Sequence, residues 1–485
     1  MLTKEHPLFG GRKPWDHQLE AINKAYKSLT GYAFLFEPGC GKTWTLINSL
    51  RLDCIREGRF LKTLIIAPVI VLDNFKREIL EFSKFDPKKV LVAHGPQKKR
   101  VEIVKKLQES GDGIILTNYN ALSTMKDFVK SLHEWAPDVL VLDESHRCKD
   151  TKSKQTKAAI KLSDVAKKKY LLTGTPILNS LEDLWSQFRI LDGGETLGKS
   201  LIAFRNAYFT NVLKHANVTF PRWVEKQGAR EVVKDLIKDK AMFVEKETAL
   251  DLPPFIQQTI HVELSGDAKK AYKDMQKELI AFVNEAGETP EAATAPMAMI
   301  KALRLLQITT GHVGTETAEG EKKLKRFKNN PKKDALKELL TDLTPKSKVI
   351  VWSVFKENYA DIKDVCEKIG VQYVEVHGSN TKEEKDDAIS AFERDPDIRV
   401  FISNPASGGI GVNLVSSDST IYYSKNFSLE NDLQSVARFY RGGSEIHKKV
   451  TRYDLVAKGT IDEQVTAALS DKKEIGFDVL RGMLK

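Results

Sequence analysis

Four cysteines in 485 residues leave little scope for a covalent or metal-held architecture. Cys40, Cys54, Cys148 and Cys366 are widely spaced and form no CxxC pair, so neither a disulfide framework nor a zinc site is indicated, and a reducing compartment fits. No apolar run approaches the roughly eighteen residues needed to cross a bilayer, and the N-terminal MLTKEHPLFGGRK lacks the apolar centre of a secretion signal. A cytoplasmic protein with no membrane partner is expected. Acidic residues are also in deficit, 66 against 76 lysines and arginines, which leaves a formal charge of +10. That excess suits a polyanionic partner without requiring one.

What the chain does have is two similar blocks, since its length exceeds what one core serves. In the first, β-rich runs (YAFLF, TLIIAP, VLVAHG, GIILTNY, DVLVLDES, KYLLTGT) alternate with helical stretches. One of these, residues 15–29, carries Leu19, Ile22, Tyr26 and Leu29 at helical spacing. A second set (KVIVWSV, QYVEVHG, IRVFISN, STIYYSK, KVTRYDLV) begins near Lys348. Such alternation predicts α/β domains with parallel sheets. The expected division is residues 1–194, a mostly helical 195–340 of insertions and linker, and 341–485. The small-residue stretch AGETPEAATAPMA reads as a flexible loop. The C-terminal helix is expected to open at Thr460 with Glu463 completing a capping box.

Three constellations carry chemistry. After the strand YAFLF comes EPGCGKT, where Gly39, Cys40 and Gly41 can turn backbone N–H groups toward a phosphate, Lys42 can reach the β- and γ-phosphates and Thr43 can ligate magnesium. Phe36 stands where the full phosphate-loop pattern has its first glycine, so a plain glycine-rich turn is the alternative. The strand DVLVL ends in Asp143-Glu144-Ser145-His146. Two carboxylates leaving a sheet edge after a phosphate loop suit a magnesium ligand, Asp143, and a general base, Glu144. In DLQSVARFYRGGS, the spacing of Gln434, Arg438 and Arg441 is expected to place all three on one side of a helix. A solvated basic face is the plain alternative there.

Residues 172–185, LTGTPILNSLEDLW, place two threonines, a glycine and a proline at the end of an apolar strand, a string that a stable core does not call for. It closely resembles the coupling motif of Swi/Snf-type ATPases of helicase superfamily two. RCKD after DESH, APVIVLDNFKREI, TNYNAL, VWSVFKENYADI, HGSN, SGGIGVNL and DLQ with R-x-x-R resemble further motifs of that family, in the right order over nearly the whole chain. Between the blocks, DLPPFIQQTIHVELSGDAKKAY and LRLLQITTGHV resemble its inter-domain linker and helical insertion. Departures include Phe427 for the usual tryptophan, HGS for DGS and a missing double arginine before LPP. They suggest an outlying member, from a virus or bacterium, acting near the nucleoid.

The resemblance implies two RecA-like domains in tandem, ATP and magnesium as cofactors, and a monomeric motor on duplex DNA. It implies that Gln18 reads adenine, that Gly411 lies at the nucleotide, and that Arg441 and secondarily Arg438, with Gln434 beside them, reach the nucleotide from the other domain. Thr173 and Thr175 would couple hydrolysis to movement. Pro68, Asn74, Thr117, Tyr119, Asn413 and Phe427 would touch nucleic acid. Residues 322–333, KKLKRFKNNPKK, hold seven basic side chains and read as a solvated loop or a DNA contact. The alternatives are a strand-separating DNA or RNA helicase and a nucleic-acid-binding scaffold that does not hydrolyse ATP.

Overall fold

The computed structural model describes residues 2–212, 223–285, 294–316, 322–406 and 413–481. Six strands arise where the apolar runs of the first block lie: β1 (Gly31–Phe36), β2 (Thr63–Ala67), β3 (Val90–Val92), β4 (Ile114–Asn118), β5 (Val139–Asp143) and β6 (Lys168–Leu172). A short antiparallel pair, β7 (Phe209–Asn211) and β8 (Trp223–Glu225), and a strand β9 (Ala241–Val244) follow. The first sheet is ordered β3-β4-β2-β5-β6-β1-β9, and every pairing in it is parallel.

Helices cover both faces of this sheet, which explains why its strands are continuously apolar rather than alternating. Leu140 and Leu142 of β5 join one core with Phe128, Trp135 and Phe188, whereas Val139 and Val141 join the other with Phe34, Ile47 and Ile79. The two-residue period of a strand delivers successive side chains to opposite layers.

The second sheet holds β10 (Phe255–Val262), β13 (Lys348–Trp352), β14 (Gln372–Val376), β15 (Ile398–Ser403), β16 (Ser417–Tyr422) and β17 (Val450–Ala457), while β11 (His312–Glu316) and β12 (Lys322–Arg326) form a separate antiparallel pair. Its order is β10-β17-β16-β13-β15-β14, again all parallel. Val349, Val351, Val400 and Ile402 pack there against Leu336, Leu340 and Ile362.

Several local expectations need revision. The span 195–340 holds strands beside its helices. β9 extends the first sheet and β10 the second, and the chain divides into compact units between Asp251 and Leu252. Both strands are edges; β9, AMFV, is only four residues long, and β10, FIQQTIHV, is half exposed and lacks an apolar run. The first helix runs Asp16–Lys27 and buries Gln18, Ala21, Ile22 and Ala25, leaving Tyr26 and Leu29 exposed. Small alanines let it lie close on the next helix, and Tyr26 sits under the Arg56 guanidinium instead.

KKLKRFKNNPKK is no loop. It contributes β12 and then opens the helix Pro331–Leu343, with Lys332 buried against Asp462 at 2.6 Å and Lys333 and Arg326 paired with Asp361. Of AGETPEAATAPMA, residues 286–293 lie outside the described residues, and Thr294 already begins a helix, Thr294–Thr309. The helix Ile461–Arg481 starts where expected, but the Thr460 hydroxyl accepts from the Asp462 N–H and donates to the Ala457 carbonyl, so the cap does not use Glu463. Among the described residues no helix is long and apolar enough to cross a membrane.

Candidate functional site

The carboxyl ends of β1, β5 and β6, neighbours at the centre of the first sheet, bring the phosphate loop, the paired carboxylates and the TGT turn together. In open parallel sheets this rim is where ligands bind. β1 is wholly buried and delivers the chain into Glu37–Gly41. Gly39 and Gly41 have φ of 97° and 76°, in the left-handed region that favours glycine, and Gly41 caps the helix Lys42–Glu57. The N-terminus of that helix directs unpaired N–H groups toward the loop, a favourable setting for an anion. Lys42 Nζ donates to the Phe36 carbonyl at 2.8 Å and so spans the loop. Cys40 is fully buried, and burial pushes its thiol up to about 12, so it acts as packing; its carbonyl, 3.0 Å from His17 Nε2, fixes the loop from outside.

Gln18 occupies the underside of this loop. Its Oε1 accepts from Trp15 N–H at 3.0 Å, its Nε2 points to the Gly41 carbonyl at 3.4 Å, and a Cβ on Gly41 would fall 2.2 Å from Nε2. Its amide is thus spent on backbone. An adjoining cleft of about 510 Å³ is lined by Trp15, His17, Lys4, Lys13 and Phe243 among others. Burial lowers the His17 pKa, against the opposing pull of the Cys40 carbonyl, Asp16 and Glu20.

β5 ends at Asp143. Burial and the adjoining Glu144 charge raise its carboxyl pKa above the usual range, and Lys42 opposes them. Glu144 has φ 54° and ψ 53°, a left-handed backbone rare for a side-chain-bearing residue. A strain of about 1–3 kcal/mol is tolerated where neighbours over-determine the conformation, and they do so here. His146 Nδ1 lies 3.4 Å from Glu144 Oε2 and 2.9 Å from Thr173 Oγ1, with Thr175 Oγ1 at 3.4 Å. Thr173 Oγ1 also accepts from the Thr175 N–H. Gly174 closes the arrangement from the other side: a Cβ there would stand 2.7 Å from Pro38 Cδ and 3.0 Å from the Phe36 carbonyl oxygen. The TGT turn therefore lies directly on the phosphate loop while its threonines hold the histidine that faces Glu144.

The helix Glu182–Asp192 stitches these turns together through residues that sequence reasoning passed over. Asp183 Oδ2 accepts from the Leu178 and Asn179 N–H groups, both at 2.8 Å. Gln187 Oε1 accepts from Ser145 Oγ at 2.8 Å while its Nε2 donates to the Pro176 and Asp183 carbonyls. Ser186 Oγ donates to the carbonyls of Cys148 and Lys149. In the same string Ile177, Leu181, Leu184 and Trp185 are core, so part of LTGTPILNSLEDLW is packing after all. The available signal was a serine and a glutamine on an otherwise apolar helix face.

In the second sheet's unit the arginine segment differs from expectation. Its helix is Leu429–Phe439, so Gln434 and Arg438 share a face, but Arg441 lies beyond the end. Tyr440 leaves helical geometry and Gly443 has φ 106°, which turns the chain and lets Ser444 N–H bond the Arg441 carbonyl. Gln434 Nε2 reaches Glu430 at 3.3 Å, and the Leu414 N–H bonds the Arg438 carbonyl at 2.8 Å. Gly411 lies outside the described residues.

Residues 17–312 match the SNF2-related domain, and residues 331–443 match the helicase conserved C-terminal domain. The chain belongs to the SNF2-related family. Among curated relatives it is similar to the chromodomain-helicase-DNA-binding protein 1-like of Mus musculus, 29% identical over 96% of this chain and 50% of that one. It is also similar to the ISWI chromatin-remodeling complex ATPase ISW2 of Saccharomyces cerevisiae, 27% identical over 97% of this chain and 41% of that one. It spans half or less of the length of these relatives. A SWI2/SNF2 ATPase core from Sulfolobus solfataricus, solved in complex with dsDNA, aligns over 99% of this chain and 95% of its own at 23% identity and a TM-score of 0.45.

The residues of this SNF2-related chain expected to touch nucleic acid separate into two groups. Thr117 is fully buried, donating to the Ala93 carbonyl and accepting from Arg100. Tyr119 is buried too, and its hydroxyl donates to the Asp143 carbonyl at 2.7 Å. Neither presents itself to a polymer: Thr117 lies in the buried strand β4, and Tyr119, the first residue of the helix that follows it, is buried and braces the carboxylate turn. Asn74 bonds Glu78 and Arg77 along its own helix. Pro68 is half-buried beside an exposed Val69, Asn413 is exposed and Phe427 is 40% exposed.

Proposed function

We propose that this SNF2-related chain is an ATP-driven motor that translocates on duplex DNA without needing to part the strands. One observation carries the reading: the phosphate loop, the carboxylate turn and the TGT turn form one interlocked unit, with Gly174 against Pro38 and His146 between Glu144 and Thr173. A change at the nucleotide is thereby felt in the turn, which is what a motor requires and a passive scaffold does not.

In this reading the backbone of Gly39, Cys40 and Gly41 receives the phosphates of ATP, Lys42 leaves the Phe36 carbonyl to contact them, and the cleft by Trp15 and His17 takes the base. Gln18 supports the loop from beneath rather than reading adenine. Thr43 and Asp143 supply hard oxygen ligands suited to magnesium, which when bound offsets phosphate charge. Glu144, held in its left-handed backbone, orients and deprotonates water. Arg441 and Arg438 stabilise the transferred phosphoryl group, with Gln434 beside them and Gly411 near the nucleotide. Thr173 and Thr175 relay the state of Glu144. Pro68, Asn74, Asn413 and Phe427, the accessible members of their set, meet the track.

The test is a pair of strand assays with ATP. The motor should displace the third strand of a triplex while leaving a forked duplex paired. Efficient fork opening without triplex displacement would replace this reading by strand separation.

A further inference from the structure

The chain enters its second unit through β10, and this edge strand is tied to the segment that carries the arginines. Its first residue, Phe255, packs its ring 4.7 Å from Tyr440, the residue immediately before Arg441, and 6.5 Å from Phe439. Two residues on, Gln257 Nε2 donates to Asp454 Oδ2 at 2.8 Å. Asp454 is fully buried on the neighbouring β17 and also receives Arg452 Nε at 2.9 Å and Lys425 Nζ at 3.1 Å.

Arg452 passes the connection on. Its two Nη groups fork onto Asp432 in the first turn of the helix Leu429–Phe439, at 2.6 and 3.0 Å, and its guanidinium lies 3.9 Å over the Tyr422 ring. The Tyr422 hydroxyl in turn meets Ser435 Oγ at 2.6 Å. The arginine helix is therefore clamped at its start by a bidentate pair and steadied one turn later. At its end, where Arg441 leaves the helix, the ring of Phe255 supplies the support. Buried ion networks rarely add net stability, and geometric specificity is their best-attested use.

We propose that β10 is a positioning element for catalysis: Phe255, stacked on Tyr440, and Arg452, forked onto Asp432, set the place from which Arg441 acts. The inference rests on the reading of Arg441 as a transition-state group. Phe255 acts through the turn that presents the arginine, and Arg452 through the start of the helix that leads to it. Misplacing a catalytic group by an ångström can cost about a hundredfold in rate, so small shifts of this turn are sufficient.

The full-length chain serves for the test, with duplex-stimulated ATP hydrolysis as readout. Phe255→Ala should lower kcat about tenfold or more while KM for ATP and duplex affinity stay within about twofold, and Phe255→Tyr, which keeps the ring, should restore the rate. Arg452→Lys, which keeps the charge but not the fork, should lower kcat in the same way. In an Arg441→Ala background, followed by single-turnover hydrolysis, Phe255→Ala should cause no additional loss, because positioning is without effect once the positioned group is gone. Losses that multiply in the double variant, or a Phe255→Ala protein with unchanged kcat, would overturn the proposal while leaving Arg441 in its role. An Arg441→Ala protein with unchanged turnover would instead overturn the reading on which the proposal rests.

Discussion

The two sheets present their functional residues by different means. In the first, helix Lys42–Glu57 is anchored at its far end by a buried cluster, Asp53 with Lys168 at 2.8 Å and the Tyr170 hydroxyl at 2.6 Å, while the reacting end is shaped by close backbone packing at Gly41 and Gly174. In the second, an ion network holds the start of the arginine helix, on Asp432 in its first turn, and Arg441 projects from an irregular turn beyond the other end, against which the Phe255 ring packs through Tyr440. A phosphate site built from N–H groups must fit its ligand closely and tolerates no extra methyl group. An arginine on a turn must be brought to its target, and a clamp set around its helix serves that end.

Removing the chemistry from each side should have the largest effects. Glu144→Gln should lower turnover by about two to four orders of magnitude while ATP and magnesium still bind, measured by phosphate release beside nucleotide binding. Arg441→Ala should cost about a thousandfold or more in turnover with duplex affinity nearly unchanged, and Arg441→Lys should recover little, since an ammonium cannot reproduce the guanidinium fork. Normal hydrolysis by either variant would dissolve the comparison.

Packing changes should have intermediate effects. Gly174→Ala places a methyl 2.7 Å from Pro38 Cδ, adding about 1–3 kcal/mol of strain, so nucleotide affinity and melting temperature should fall together. An alanine variant with unchanged ATP affinity would show that the turn does not shape the loop. Thr173→Val leaves His146 Nδ1 without its 2.9 Å partner, a loss of about 1–3 kcal/mol. Here the ratio of triplex displacement to ATP consumed should fall further than ATPase itself.

The smallest effect is expected at Tyr119→Phe, which removes one hydrogen bond to Asp143 and about 1 kcal/mol of stability. Duplex affinity and its dependence on salt should not change. A salt slope reduced by about one would mean that Tyr119 does meet a phosphate.

These contrasts also show what was legible in the sequence. The parallel sheets, the phosphate loop and the carboxylate pair announce themselves because buried strands are continuously apolar and because glycine, lysine and acid at a strand end have few other uses. β9 and β10 were harder to see: an edge strand such as FIQQTIHV is half exposed and lacks the apolar run. Thr117 and Tyr119 misled because motif position says nothing of depth. Arg441 was placed on the helix by spacing alone, although the Gly442-Gly443 pair behind it marks a helix end. Gln187 and Arg452 act through long-range partners, 42 residues away for Gln187 and Ser145 and 20 for Arg452 and Asp432, and such pairings exist only once the sheets are assembled.

The central claim is that hydrolysis is coupled to a duplex track. Its most direct test is the ATPase rate measured in parallel with no polymer, single-stranded DNA, duplex DNA and RNA, at low and raised salt. Duplex DNA should stimulate most, regardless of base sequence, and the stimulation should fall steeply as salt rises, because phosphate contacts release counterions. Equal stimulation by RNA, or a rate indifferent to any polymer, would contradict the account.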